Sequence, residues 1–327
     1  MGALIALLFW SSFFFRSPAA ISGDDFRIKF STVAPKGSTW IKHMESLDQE
    51  LRAKSHGRLG IKIYPGGVLG DEIDVLKKIR IGQVHCAGFS GVGFGSILPE
   101  VRVLDLPFLF RSTAETDLVH KELRSYFAER FEDKGFHLLG WGEVGDVYVY
   151  SKHAIGSVED FNGLKVWSWS GDPIAKETFS AMGVNPILLA ITDVTTAINT
   201  GTIDTVYAPP LAALALQWYA PMKTMMGIPL AHSTGAVLIS SRYMDKLPQD
   251  LSQLLRESFQ NTLEDLTDVL REKNREAVEI IRESGLTISP PPSGPRLQEF
   301  YNVHDKVAER LSGELYPREL LERVYRI

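Results

Sequence analysis

Cysteine is almost missing from this chain of 327 residues, which carries only Cys86. A single thiol makes no internal disulfide and supplies no multi-cysteine metal site, so Cys86, inside the apolar stretch 84–89, reads as a small buried hydrophobe. No cysteine follows the apolar start of the chain, which excludes a lipoprotein anchor there. An excess of basic charge is lacking as well. Lys plus Arg number 35 against 40 for Asp plus Glu, the net charge is −5 and the pI about 5.9, so nothing resembles the basic footprint of a nucleic-acid binder. The apolar, uncharged run 1–15 is shorter than the roughly 20 residues a spanning helix needs, and Arg16 ends it. Metal motifs are absent too. His43, His56, His85, His120, His137, His153, His232 and His304 stand singly, with no His-Glu-x-x-His, and each reads as a surface or satisfied core side chain.

What is present begins with a signal-like segment. Residues 1–22 have the apolar core and small-residue tail of an export signal, with cleavage sites after Ala19 or Ser22, but lack the basic start. The segment reads either as a cleaved secretory signal or as a retained anchor. The whole chain is 44% hydrophobic and 23% charged, ordinary for a globular protein, and the length beyond that segment divides naturally into two domains.

The order of elements points to an α/β fold. Residues 27–33 alternate as a strand, and Ser38 or Thr39 caps a helix to Lys54 with Ile41, Met44, Leu47 and Leu51 on one face. A strand at 59–64, a helix opened by Asp71 and running to Ile81, and a strand at 85–89 follow. The same grammar restarts with strands at 163–169, 185–189 and 205–208 and helices at 173–182 and 193–200. Strand, helix, strand order implies parallel sheets with right-handed crossovers, and two such units joined near 144–150 make a cleft at their strand ends. Residues 249–283 form one amphipathic stripe of about 50 Å at about 1.5 Å per residue, long enough to brace both units. Helices are expected at 297–311 and 318–325.

Catalytic patterns are not found. The run Gly88 to Gly95 (Gly-Phe-Ser-Gly-Val-Gly-Phe-Gly) has Val92 where a nucleophile elbow needs glycine and Ser96 where a dinucleotide fingerprint needs its third. It reads either as a turn that lets a ligand approach the main chain or as a tight connection. Aromatic residues cluster at strand ends and loops: Trp40, Phe89 beside Ser90, Phe108 and Phe110, Trp167 and Trp169, and Tyr207 before Pro209. Loops at strand ends are where binding residues concentrate, and flat rings line small-molecule pockets. Trp167 and Trp169, two apart on a strand, project to one face as a wide apolar wall. Asp172 reads as the cap of the helix starting at Pro173.

Five motifs in order carry a family resemblance: 28–35 (Ile-Lys-Phe-Ser-Thr-Val-Ala-Pro), 64–70 (Tyr-Pro-Gly-Gly-Val-Leu-Gly), 106–110 (Leu-Pro-Phe-Leu-Phe), 161–166 (Phe-Asn-Gly-Leu-Lys-Val) and 197–204 (Ala-Ile-Asn-Thr-Gly-Thr-Ile-Asp). Together they resemble the DctP-type substrate-binding proteins of TRAP transporters over nearly the whole mature chain. The resemblance implies a periplasmic, two-lobed α/β binding-protein fold with a parallel-type sheet in each lobe, hinge strands and a long helix crossing both lobes. Residues 25–145 plus 233–260 then form lobe I, 146–232 plus 284–296 lobe II, 249–283 the bracing helix and 297–327 the C-terminal helices. It also implies capture by closure, delivery to a membrane permease, and no cofactor, metal or covalent step.

The chain departs from that family at the positions that matter most. The arginine that clamps a substrate carboxylate after Gly-Leu-Lys-Val is replaced by Trp167, and a second, after Gly145, by Val147. Indole makes no bidentate bond with carboxylate. The expected cargo is therefore a hydrophobic or amphipathic small molecule held by Trp40, Phe89, Ser90, Phe108, Phe110, Trp167, Trp169, Tyr207 and Pro209. The same loss resembles the subgroup that works with a periplasmic tetratricopeptide-repeat partner. Two other readings are an enzyme on a borrowed fold, with Glu143 and Asp146 near the hinge as its only titratable cluster, and a ligand-sensing scaffold protein.

Overall fold

A computed structural model describes residues 25–327; the signal or anchor expected at 1–22 lies outside them. The chain begins with strand β1 (Phe26–Ser31), helix α1 (Thr39–Lys54), β2 (Leu59–Tyr64), α2 (Glu72–Arg80) and β3 (Cys86–Ser90), close to the expected bounds. Local chemistry sets these starts. Ser38 Oγ accepts the Ile41 N–H at 3.4 Å, and Asp71 Oδ1 accepts the Glu72 N–H at 2.7 Å. A short helix α3 (Gly91–Gly95), a 3₁₀ segment (Pro99–Asp105) and α4 (Thr113–Asp133) lead to β4 (Phe136–Ser151). Helix α4 has no counterpart among the expected elements. Ser112 caps it, and Thr116, Val119, Leu123, Phe127 and Phe131 form a single buried row among 21 residues.

The second unit comprises β5 (Trp167–Trp169), α5 (Pro173–Ala181), β6 (Ile187–Leu189), α6 (Val194–Asn199), β7 (Thr205–Ala208), α7 (Pro210–Ala215) and β8 (Thr224–Met225). The chain returns through β9 (Ala231–Ser240) and α8 (Ser241–Met244), then runs along α9 (Gln249–Glu283), β10 (Thr287–Ile288), α10 (Pro295–Leu311) and α11 (Arg318–Arg326). Among the described residues no helix is long and apolar enough to cross a membrane.

Strands β1, β2 and β3 pair in parallel, as the strand, helix, strand order implies. The whole sheet is mixed, however: β9 runs antiparallel to both β3 and β4, giving the order β10-β8-β4-β9-β3-β1-β2, with β7 also on β4. Strand β4 is shared. Residues 136–147 pair with β9 in the first lobe, and Tyr148 to Ser151 pair with β7 in the second. Within the β9 pairing the register slips at Leu138/Gly140 and again at Glu143/Gly145, where Gly145 has φ +115°, a value that favours glycine.

Helix α9 spans both lobes. Leu251, Leu255, Phe259, Leu263 and Leu266 pack with Phe30 and Leu47 of the first lobe, and Ile281 packs with Trp167 and Trp218 of the second. It also carries the polar hinge contacts that its apolar stripe did not disclose. Asn274 Nδ2 donates to Val144 O at 3.2 Å, and its Oδ1 accepts the Leu211 N–H at 3.0 Å. Arg271 Nε donates to Glu143 Oε2 at 2.8 Å, and Nη1 donates to Asp117 Oδ2 at 3.0 Å. Glu143, the acid singled out near the hinge, is thus engaged in a structural ion pair.

Candidate functional site

The C-terminal ends of β3, β5 and β7 converge on a cavity of about 240 Å³ between the lobes. Parallel strands leave their loops on one side of a sheet, so residues far apart in sequence meet there. Trp40, Phe89, Ser90, Trp167, Trp169, Tyr207 and Pro209 all line this cavity. Phe108 and Phe110 do not. Phe108, with φ +55°, is buried against Phe300, ring centroids 5.4 Å apart, and its N–H donates to Leu230 O at 2.8 Å. Phe110 lies edge-on to His232. The Leu-Pro-Phe-Leu-Phe motif anchors a turn rather than presenting rings to the cleft.

The indole pair projects together, as period-two alternation requires: the Trp167 and Trp169 centroids are 6.2 Å apart. Trp167 is also core. It is 1% exposed, stacks on Tyr207 at 4.8 Å, meets Trp218 edge-on at 5.3 Å and donates from Nε1 to Leu189 O at 3.1 Å. Trp169 Nε1 donates to Asp71 Oδ2 at 2.8 Å, joining the two lobes. Trp40 fits only because the neighbouring strands are bare: a Cβ at Gly142 would lie 2.8 Å from its ring. Val147, where the family resemblance implies an arginine, lines the cavity as well.

Arg102 was not found by sequence reasoning. It is 4% exposed and is the only Arg or Lys on the cavity wall among the described residues. Its charge is already matched: Nη2 donates to Asp172 Oδ1 at 2.7 Å, and Nε lies 2.9 Å from Asp105 Oδ2 in an ion pair without hydrogen-bond geometry. Burial opposes the guanidinium charge, but Asp172 and Asp105 outweigh it and raise its pKa above the ordinary value. The glycine run makes the room. A Cβ at Gly95 would lie 2.5 Å from Arg102 Cδ, and one at Gly93 2.6 Å from Glu72 Oε2, so these glycines clear space for buried charges. Asp172 does cap α5, accepting from Ile174 N at 3.0 Å and Ala175 N at 3.2 Å, and spans the cleft with the same oxygen.

Glu72 accepts from Ser90 N, Ser90 Oγ and Gly93 N at 2.8, 2.9 and 2.8 Å. Ser90 therefore reaches the cavity with its hydroxyl proton engaged. Burial pushes Glu72 up to about 7 and Asp105 up to about 6. At the hinge edge His232 Nδ1 donates to Asp146 Oδ1 at 3.0 Å, and His120, 6.1 Å from the His232 ring, shares a hydrogen bond with Thr234 Oγ1 at 3.0 Å. Burial drives His120 down to about 3. These two histidines, single in sequence, are brought together. Among the described residues no group of three His, Cys, Asp or Glu could hold a metal.

Two lobes sharing hinge strands, a helix along both and an apolar cavity between them define a two-lobed solute-binding protein. The chain belongs to the DctP family, described as bacterial extracellular solute-binding protein, family 7, which matches residues 30–313, and this is a family of binding proteins rather than enzymes. It is similar to the C4-dicarboxylate-binding periplasmic protein DctP of Rhodobacter capsulatus, 23% identical over 296 residues covering 88% of each chain. Its fold is similar to the sugar acid binding protein DctPAm of Advenella mimigardefordensis in complex with galactonate, with a TM-score of 0.87 at 20% identity over 93% of this chain and 98% of that one. It is likewise similar to a TRAP periplasmic solute binding protein of Sulfurospirillum deleyianum with bound succinate, with a TM-score of 0.84 at 20% identity over 92% and 99%.

Proposed function

We propose that this chain is the exported, periplasmic receptor of a TRAP-type transporter, that it closes on a small hydrophobic or amphipathic molecule, and that it hands this cargo to a membrane permease. The lobes are assigned as 25–145 plus 233–260 and 146–232 plus 284–296, with Trp40, Phe89, Trp167, Trp169, Tyr207 and Pro209 as contacts and Ser90 at their edge. One observation carries the reading. Arg102, the only Arg or Lys on the wall among the described residues, is already paired with Asp105 and Asp172, and Trp167 and Val147 stand where the family resemblance implies arginine. Affinity then comes from the rings and aliphatic wall, about 2.5 kcal/mol for each roughly 100 Å² of apolar surface removed from water, less the cost of ordering the ligand. The same arginine loss supports a tetratricopeptide-repeat protein as a handover partner.

A second reading is an acid cargo that takes Arg102 from Asp172, favoured by the galactonate and succinate named for the similar structures. Mass spectrometry of protein purified natively and then denatured separates the two. An apolar or amphipathic molecule bound stoichiometrically supports the first, and a dicarboxylate or sugar acid overturns it.

A further inference from the structure

We propose that the cargo of this cleft is uncharged and carries a carbonyl oxygen, of a ketone, amide or ester, which accepts from Arg102. This rests on the apolar-cargo reading above and adds the polar group that the apolar body bears. The observation behind it is a difference between charge and hydrogen bonding at one buried side chain. A guanidinium has five N–H donors in a fixed plane. One of those of Arg102, on Nη2, donates to Asp172 Oδ1 at 2.7 Å, and Nε lies 2.9 Å from Asp105 Oδ2 without the geometry of a hydrogen bond. The N–H groups of Nη1 and the second of Nη2 have no partner among the described residues. Nε is sealed from solvent whereas Nη1 is not, and because the side chain is buried on the cavity wall, that opening faces the space a ligand fills. The charge is matched; the donors are not.

That combination selects for a neutral acceptor. A buried donor left without a partner is unfavourable, and a ligand oxygen relieves it. A ligand carboxylate would relieve it as well, but as the third carboxylate around one guanidinium, beside Asp105 and Asp172, where like charges disfavour one another. A carbonyl oxygen brings two lone pairs and no charge. The donor is also held in place. Ion pairs to Asp105 and Asp172 fix the guanidinium from two sides, and Gly91 backs onto it, a Cβ there lying 3.0 Å from Cζ. Neighbouring donors on the wall are spent within the protein: Trp167 Nε1 on Leu189 O, Trp169 Nε1 on Asp71 Oδ2 and Ser90 Oγ on Glu72 Oε2. The rings then contribute apolar surface, and Arg102 supplies the polar contact.

Three probes with one apolar body test this: 4-phenylbutan-2-one, butylbenzene and hydrocinnamate, titrated by calorimetry into the ligand-stripped full chain. The ketone is expected to bind about tenfold more tightly than hydrocinnamate, and isotope-edited infrared spectra should show its bound C=O stretch at or below the frequency it has in water. In Arg102→Lys, which keeps a charge for Asp172 but lacks the Nη1 donors, the ratio of ketone to butylbenzene affinity should fall about tenfold. An unchanged ratio overturns the proposal. If that variant does not fold, the infrared shift in the parent decides. A bound ketone with the C=O stretch it has in hydrocarbon solvent, or binding of butylbenzene without the ketone, overturns the carbonyl contact and leaves the apolar-cargo reading intact. Tightest binding by hydrocinnamate overturns both in favour of the acid reading. Binding of neither neutral probe near its solubility limit overturns the carbonyl contact and the apolar cargo together.

Discussion

Arg102 of the first lobe and Asp172 of the second form a buried ion pair across the cleft, Nη2 to Oδ1 at 2.7 Å, with both side chains less than a tenth exposed. A second bridge runs in parallel from Asp71 Oδ2 to Trp169 Nε1 at 2.8 Å. Each bridge uses the aspartate that caps a helix, Asp71 for α2 and Asp172 for α5. Helix starts and lobe closure are therefore tied to the same two carboxylates.

Breaking the first bridge leaves a buried guanidinium with only Asp105. Asp172→Ala is expected to lower stability by about 3 kcal/mol, since the buried hydrogen bond lost by the guanidinium and the lost cap add together. Chemical denaturation measures this, and small-angle scattering should show a more open molecule. An unchanged midpoint and radius of gyration would mean that the pair contributes nothing.

Trp169→Phe keeps most of the ring and removes the bond to Asp71. Hydrogen bonds to charged groups contribute about 1.5–3 kcal/mol, so ligand affinity should fall by about tenfold with little change in melting temperature. By contrast Trp167→Ala empties a fully buried site between Tyr207 and Trp218 and is expected to cost about 3–5 kcal/mol of stability. A melting temperature for Trp167→Ala equal to that of the parent would contradict the packing described.

The buried carboxyls give stability a pH dependence of definite sign. Glu72 rises from 4.5 to about 7, mainly through burial, so the folded state holds its proton more tightly than the unfolded chain. Its contribution is complete below about 4.5 and is lost as pH rises through about 7. His120, driven down to about 3 by burial, acts oppositely, its contribution being lost as pH falls from 6.5. The parent curve is thus partly cancelled, and Glu72→Gln isolates one component. Relative to the variant, the parent should lose stability between pH 4.5 and about 7. A constant difference, read by urea unfolding across that range, would rule this out.

Asn274 joins the long helix to Val144 on the hinge strand and to Leu211 of the second lobe. Asn274→Ala removes both bonds, about 1 kcal/mol each. Amide hydrogen exchange at residues 144–147 and 211 should quicken without a matching change at β1. Uniform acceleration across the chain would indicate global destabilisation instead.

Legibility followed distance along the chain. Ser38, Asp71 and Asp172 were readable as caps because a cap acts within three residues. The common face of Trp167 and Trp169 followed from strand periodicity, and the extent of α9 from its apolar stripe. Helix α4 escaped notice because its buried residues form one narrow row. The role of Phe108 was misread because its motif says nothing of the Phe300 ring that covers it. The sequence by itself thus determined the α/β order, the helix starts and the aromatic strand ends, all products of local sterics and hydrogen bonding. Only the tertiary structure decided the antiparallel return of β9, the exclusion of Phe108 and Phe110 from the cleft, and the pairing of Arg102 with Asp172 seventy positions away. Those contacts depend on how two lobes meet, and no periodicity within either segment encodes that.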